Sequence, residues 1–85
     1  MDQERIDMSD RVNLVFSEVL RVPVEDLKDD SSPENIPRWD SLAAVNLILA
    51  IEEEFGVKLN TREIGSMRSI AAVRGVLRAK GVNDV

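Results

Sequence analysis

The chain contains no cysteine and no histidine. Without cysteine there is neither a disulfide framework nor a thiolate metal site. Without histidine the usual general base, the side chain that titrates near neutrality and the commonest metal ligand are all missing. An enzyme of 85 residues built on these terms would have only carboxylates and lysines to work with, which argues against catalysis. Aromatics are nearly as scarce: Phe16, Trp39 and Phe55 are the whole set, so branched aliphatics must fill the interior. No apolar run approaches the roughly 20 residues that a membrane-spanning helix needs. The opening Met1-Asp2-Gln3-Glu4 lacks the basic start and apolar stretch of a signal peptide. These absences lead us to expect a cytoplasmic protein with no membrane segment.

What is present suits one compact unit. Hydrophobic residues make up 44% and charged residues 32%, a balance typical of folded rather than disordered chains. The length fits a single domain over residues 1–85, with a thin core because small domains bury a smaller share of their surface. The net charge of −5 is unevenly spread. Residues 1–57 hold 14 acidic and 5 basic side chains, whereas residues 58–85 hold 2 acidic and 6 basic. The acidic part repels phosphate backbones, so nucleic acid is an unsuitable partner, and a basic face on another protein is the natural complement.

Helical spacing dominates the pattern. From about Gln3 to Leu20 the residues Ile6, Val12, Val15, Phe16, Val19 and Leu20 fall at helical intervals, and Pro23 ends the segment near Arg21. Residues 22–40 form a long connection punctuated by Pro23, Pro33 and Pro37. A short turn is expected at Glu25–Lys28, with Val22, Leu27 and Ile36 as anchors. Ser41 to Phe55 is the clearest helix, capped by Asp40 or Ser41 and stopped by Gly56. Within it, spacing puts Val45, Ile48, Ile51 and Phe55 on the inner side, with Leu42 and Leu49 further round. Glu52, Glu53 and Glu54 sit at its C-terminal end, where they oppose the helix dipole, so another role is expected of them. Val57-Lys58-Leu59 reads as an extended link with Leu59 buried. Asn60 and Glu63 form a capping-box pattern opening a short helix to about Met67. Ser69 caps a last helix whose inner face is Ile70, Val73, Val76 and Leu77. The basic side chains Arg68, Arg74, Arg78 and Lys80 are expected at the surface. No segment alternates as a strand does, and the expected fold is an all-α bundle of three main helices, one short helix and a long first loop.

The candidate site is Asp40-Ser41-Leu42, where the long loop meets the second main helix. A serine there holds its hydroxyl outside the packed interior, and a phosphodiester on it would face free N–H groups and the positive end of the helix dipole. Nothing in the chain can activate this hydroxyl as a nucleophile, because there is no histidine and Asp40 alone is a poor base. Any modification of Ser41 has to come from a separate transferase.

The stretch Trp39-Asp40-Ser41-Leu42-Ala43-Ala44-Val45, continuing to Ala50-Ile51-Glu52-Glu53-Glu54-Phe55-Gly56-Val57, resembles the phosphopantetheine attachment region of acyl carrier proteins. The resemblance extends over Val12–Leu20, Val22–Leu27 and Leu59–Leu77, almost the whole chain. It implies a four-helix bundle and a 4′-phosphopantetheine arm received on Ser41 from coenzyme A through a holo-synthase, a phosphopantetheinyl transferase. The arm's thiol would hold acyl groups as thioesters. Asp40 and Leu42 flank the attachment point, and Asp40 would help the holo-synthase recognise it. The second main helix would be the docking surface for acyl- or aminoacyl-loading and processing enzymes, through Leu42, Val45, Leu49 and the Glu52, Glu53, Glu54 cluster. Such a carrier is expected to be a monomer, in fatty-acid or specialised polyketide or lipid biosynthesis.

The chain departs from the bacterial fatty-acid carriers at Arg38, where they have glycine, and at Trp39, where they have a small residue. It departs again at Ala43, Ala44 and Asn46, where they often carry acids. This W-D-S-L form resembles specialised stand-alone carriers. Two alternatives remain open from the sequence: an aminoacyl carrier serving a ligase, and an unmodified helical domain that binds proteins through the apolar helix. Trp39 reads equally as a core residue or as a lining for the arm and its cargo.

Overall fold

The computed structural model describes residues 10–83 and residue 85, and the regular structure among them is all helical, with no strand. The order is α1 (Arg11–Leu20), a 3-10 turn (Val24–Asp26), α2 (Ser41–Phe55), α3 (Thr61–Ser66) and α4 (Ile70–Ala79). The first helix starts later than its periodicity suggests. Asp10 has left helical geometry, and its side chain accepts from the N–H of Asn13 at 3.2 Å, so it caps α1. The earlier part of the expected helix, Gln3 to Ser9, lies outside the described residues. At the other end Arg21 adopts left-handed geometry (φ 60°), and its N–H closes onto the Ser17 carbonyl at 2.9 Å. Pro23 excludes a further helical turn, so the chain accepts a conformation that a non-glycine residue rarely takes.

Each later helix opens on a side-chain cap. Asp40 accepts from the Ala43 N–H at 2.9 Å to open α2. Asn60 and Glu63 exchange reciprocal bonds to open α3, and Ser69 accepts from the Ala72 N–H at 3.0 Å to open α4. The α2 helix stops at Gly56, whose φ of 66° is the left-handed geometry that glycine adopts without steric cost.

The core runs along the axis of the bundle. Val12, Val15, Phe16 and Leu20 from α1 meet Leu47 and Ile51 from α2 and Ile70, Val73 and Leu77 from α4. Val76 of α4 is half-buried, and so is Leu59 in the link after α2, which was expected inside. The α3 helix contributes no buried residue and lies against α4.

The long loop is fastened to this core along its length. Leu27, Ile36 and Trp39 are buried, and Val22 is half-buried. Ser31 is also buried, and its hydroxyl accepts from the Lys28 N–H at 2.9 Å. The carbonyls of Ser31 and Asp29 accept the N–H groups of Ile70 and Ala71, at 3.1 and 2.9 Å. The loop thereby satisfies donors at the start of α4 that have no partner inside their own helix. Arg74 completes the fastening, against the expectation of a simple surface charge. Its guanidinium donates to both carboxylate oxygens of Asp10, to Asn13 Oδ1 and to Asp29 Oδ1, each at 3.1 Å. Its side chain is only 12% exposed. One side chain of α4 thus ties the start of α1 and the loop to itself. Burial works against its charge, but the hydrogen bonds and charges of Asp10, then those of Asp29, outweigh that and raise the guanidinium pKa.

Candidate functional site

Ser41 is the first residue of α2 and is exposed. Asp40 supplies the cap, so the serine hydroxyl has no capping duty and stands at the helix mouth beside Asp40 and Leu42, both exposed. The backbone leading to it is well held. The N–H of Trp39 donates to the Ile36 carbonyl at 3.0 Å, and the Trp39 indole is 5% exposed, edge-on to Phe16 with ring centroids 5.1 Å apart. An exposed hydroxyl therefore sits two residues after a fixed anchor. Beside it lies an open recess of about 340 Å³ lined by Pro33, Trp39, Asp40, Ser41 and Ala44. This is an arrangement another protein can reach and derivatise.

The exposed side of α2 is apolar. Leu42 is 71% exposed, Val45 53% and Leu49 59%. Their spacing of three and four residues makes one stripe leading away from Ser41, ending at exposed Glu53. Val45, expected to face inward, belongs to this stripe, while Leu47 is buried in its place. The inner row is Ala44, Leu47, Ile48, Ile51 and Phe55, and of these only Leu47 and Ile51 are fully buried. The helix is apolar round most of its circumference, so periodicity alone fixes its orientation weakly. Ala43, Ala44 and Ala50 pack against the core beside Leu47, and α1 is the main neighbour of α2.

The three glutamates divide by role. Glu52 is half-buried and accepts from the Leu59 N–H at 2.9 Å, which ties the link before α3 back to α2. Glu54 pairs with Arg11 at 3.1 Å, and the Arg11 guanidinium also donates to the Glu54 carbonyl and lies over the Phe55 ring, 4.6 Å from its centroid. Only Glu53 of the three has no such bond among the described residues. Two of the acids thus answer to internal partners, which accounts for their position at the wrong end of the helix dipole.

At the far side of α3, Lys80 pairs with Glu63 at 3.0 Å. The N–H of Asn60 also donates to Glu63, and that bond, followed by Lys80, holds its carboxyl below the usual range. No group of acids among the described residues is arranged to hold a metal ion. No helix there is long and apolar enough to cross a membrane.

The family described as a phosphopantetheine attachment site matches residues 10–77. The chain belongs to that family. Its members are carriers and not catalysts, and the cofactor is covalently attached phosphopantetheine. The carrier is similar to a holo acyl carrier protein from Nitrosomonas europaea, solved in solution, with 26% sequence identity and a TM-score of 0.74. The likeness covers 88% of this chain and 96% of that one, so the four-helix carrier fold is common to both. The donors present fit the cofactor: one exposed serine at a helix N-terminus, with a recess beside it and no competing bond from its hydroxyl to the cap.

Proposed function

We propose that the chain carries acyl-type groups as thioesters on a 4′-phosphopantetheine arm attached to Ser41. The observation that supports this reading best is local. Ser41 is exposed at the first position of α2, inside the family match, and Asp40 rather than Ser41 caps the helix. In the loading step the Ser41 Oγ bonds to the phosphorus that bears the pantetheine of coenzyme A. The bond from that phosphorus to the adenosine bisphosphate breaks, and this nucleotide leaves. The Ser41 proton passes to a base on the transferase, since this chain offers none. Asp40 and Leu42 frame the serine for that enzyme. Once attached, the arm supplies the thiol that the chain lacks.

Docking runs along the stripe of Leu42, Val45 and Leu49, with Glu53 as its acidic end. Glu52 also braces the helix through the Leu59 N–H, and the exposed Glu54, paired with Arg11, adds to the acidic end. The partners are a phosphopantetheinyl transferase and the enzymes that load and process the cargo. The departures at Arg38, Trp39, Ala43, Ala44 and Asn46 favour a specialised pathway over bulk fatty-acid synthesis, within the cytoplasm. Incubation with coenzyme A and a competent transferase should add one phosphopantetheine to the intact mass, and Ser41→Ala should abolish the gain. A wild-type chain that gains nothing, or a variant that still gains, refutes the assignment.

A further inference from the structure

A small apolar cavity lies among the four helices, with Trp39 as part of its wall. Its volume is about 60 Å³, and its lining includes Phe16, Trp39, Ala44, Leu47, Ile64 and Met67. Trp39 and Ala44 also line the open recess beside Ser41. These two side chains are therefore the partition between the surface at Ser41 and the interior. Ala44 contributes a methyl group, so the indole supplies nearly all the bulk of that wall. The indole packs edge-on against Phe16, and the backbone that carries it is held by the Trp39 main-chain N–H bond to the Ile36 carbonyl. A residue with a small side chain at this position would let the recess and the cavity merge.

We propose that Trp39 is a specificity-determining residue that limits this carrier to short cargo. The proposal rests on the attachment at Ser41. An apolar cavity of about 150 Å³ takes up a ligand the size of benzene, and the cavity here is less than half of that. A chain that turns inward from Ser41 meets the Trp39–Phe16 pair and stays outside. The thioester of a long chain on this carrier is consequently as open to water and to partner enzymes as that of a short one. Apolar cargo of that length would also be left uncovered, which disfavours it as a natural load. Acetyl- to butyryl-sized groups, including aminoacyl groups of that size, leave little apolar surface uncovered and suit the protein as it stands.

The test loads the purified apo-protein with acetyl-, butyryl-, octanoyl- and lauroyl-coenzyme A through a broad-specificity transferase, confirming each product by intact mass. Absence of any mass gain would strike the Ser41 attachment itself, and a gain lets the cargo question be read separately. The readouts are the thermal midpoint and the rate of thioester cleavage by hydroxylamine. On the wild-type protein the octanoyl and lauroyl forms should melt with the acetyl form and be cleaved at the same rate within about twofold. On Trp39→Leu the octanoyl thioester should be cleaved about fivefold more slowly, the ratio for four-fifths of the population held inside at any moment, and its midpoint should rise. Emission from Trp39, the sole tryptophan, should be the same for all four wild-type forms. Protection of the octanoyl or lauroyl thioester in the wild-type protein overturns the proposal. So does a folded Trp39→Leu protein that gives medium chains no protection. The wild-type series decides the matter alone if the variant does not fold.

Discussion

Removing Arg74 tests whether the loop and the start of α1 depend on a single side chain of α4. The guanidinium makes four hydrogen bonds, and their settings differ. The pair to Asp29 joins a 12% exposed side chain to one that is 70% exposed, so it ranks with surface ion pairs, at about 0–1 kcal/mol. The fork onto Asp10 joins side chains 12% and 27% exposed. That geometry is bidentate and partly desolvated, between the surface value and the roughly 3–5 kcal/mol cost of breaking a fully buried pair. Truncation to alanine should therefore cost about 2 kcal/mol, with most of it from Asp10. For a domain of this size that lowers the thermal midpoint by about 8–16 °C. Lysine should recover less than half of the loss, because a point charge cannot fork onto two carboxylate oxygens while reaching Asn13 and Asp29. Urea melts of Arg74→Ala, Asp10→Asn, Asp29→Asn and the two double variants complete the experiment. Asparagine is used at position 10 because it keeps the cap on Asn13 while removing the charge. The coupling of Arg74 to Asp10 should exceed its coupling to Asp29 by about 1 kcal/mol. An Arg74→Ala protein within about 0.5 kcal/mol of wild type, the usual range for surface substitutions, would refute the reasoning.

The remaining predictions separate the site from the scaffold. Ser41→Ala should leave stability within about 0.5 kcal/mol of wild type, whereas Asp40→Ala should lose about 1 kcal/mol in a urea melt, because Asp40 is the cap. Leu49→Glu should hold its stability and slow transferase turnover, since Leu49 lies on the exposed stripe. Leu47→Ala, two residues earlier and buried, should cost about 2–5 kcal/mol. A stable Leu47→Ala protein or an unfolded Leu49→Glu protein would reverse the orientation of α2. The Glu63 carboxyl is held low by the Asn60 N–H and by Lys80, so its contribution is fully present above the ordinary glutamate pKa. It is lost as pH falls through the lower folded value. The stability difference between wild type and Glu63→Gln should thus be constant from neutrality to about pH 5, and shrink below about pH 4. A difference unchanged at pH 3 would count against the hold of the Asn60 N–H and Lys80 on the Glu63 carboxylate.

Most of the architecture is written in short-range signals, and the misreadings occur where the deciding contact is distant. The caps at Asn60 and Ser69, the stop at Gly56 and the end of α1 ahead of Pro23 all depend on residues within four positions of each other. So does the exposure of Ser41, which follows from its place just inside a capped helix. Arg74 is different. Its partners Asp10 and Asp29 lie 64 and 45 positions away, and nothing near it in sequence marks it as more than a surface charge. Glu52 is similar on a smaller scale: it meets Leu59 only because the chain turns at Gly56. The orientation of α2 fails for another reason. A helix with leucine, isoleucine, valine or alanine on nearly every side has no polar face to point outward, so its neighbours choose the buried row. Ala43, Ala44 and Ala50 sit half-buried and let α2 approach the core closely, which pulls Leu47 in and turns Leu42, Val45 and Leu49 out. The lack of a polar face made the inward side hard to read from the sequence. It is also what leaves the helix beside Ser41 with an uncovered apolar stripe. Stability alone would favour polar residues at those three positions, so their retention is best explained by a partner that covers them when the arm is loaded or delivered.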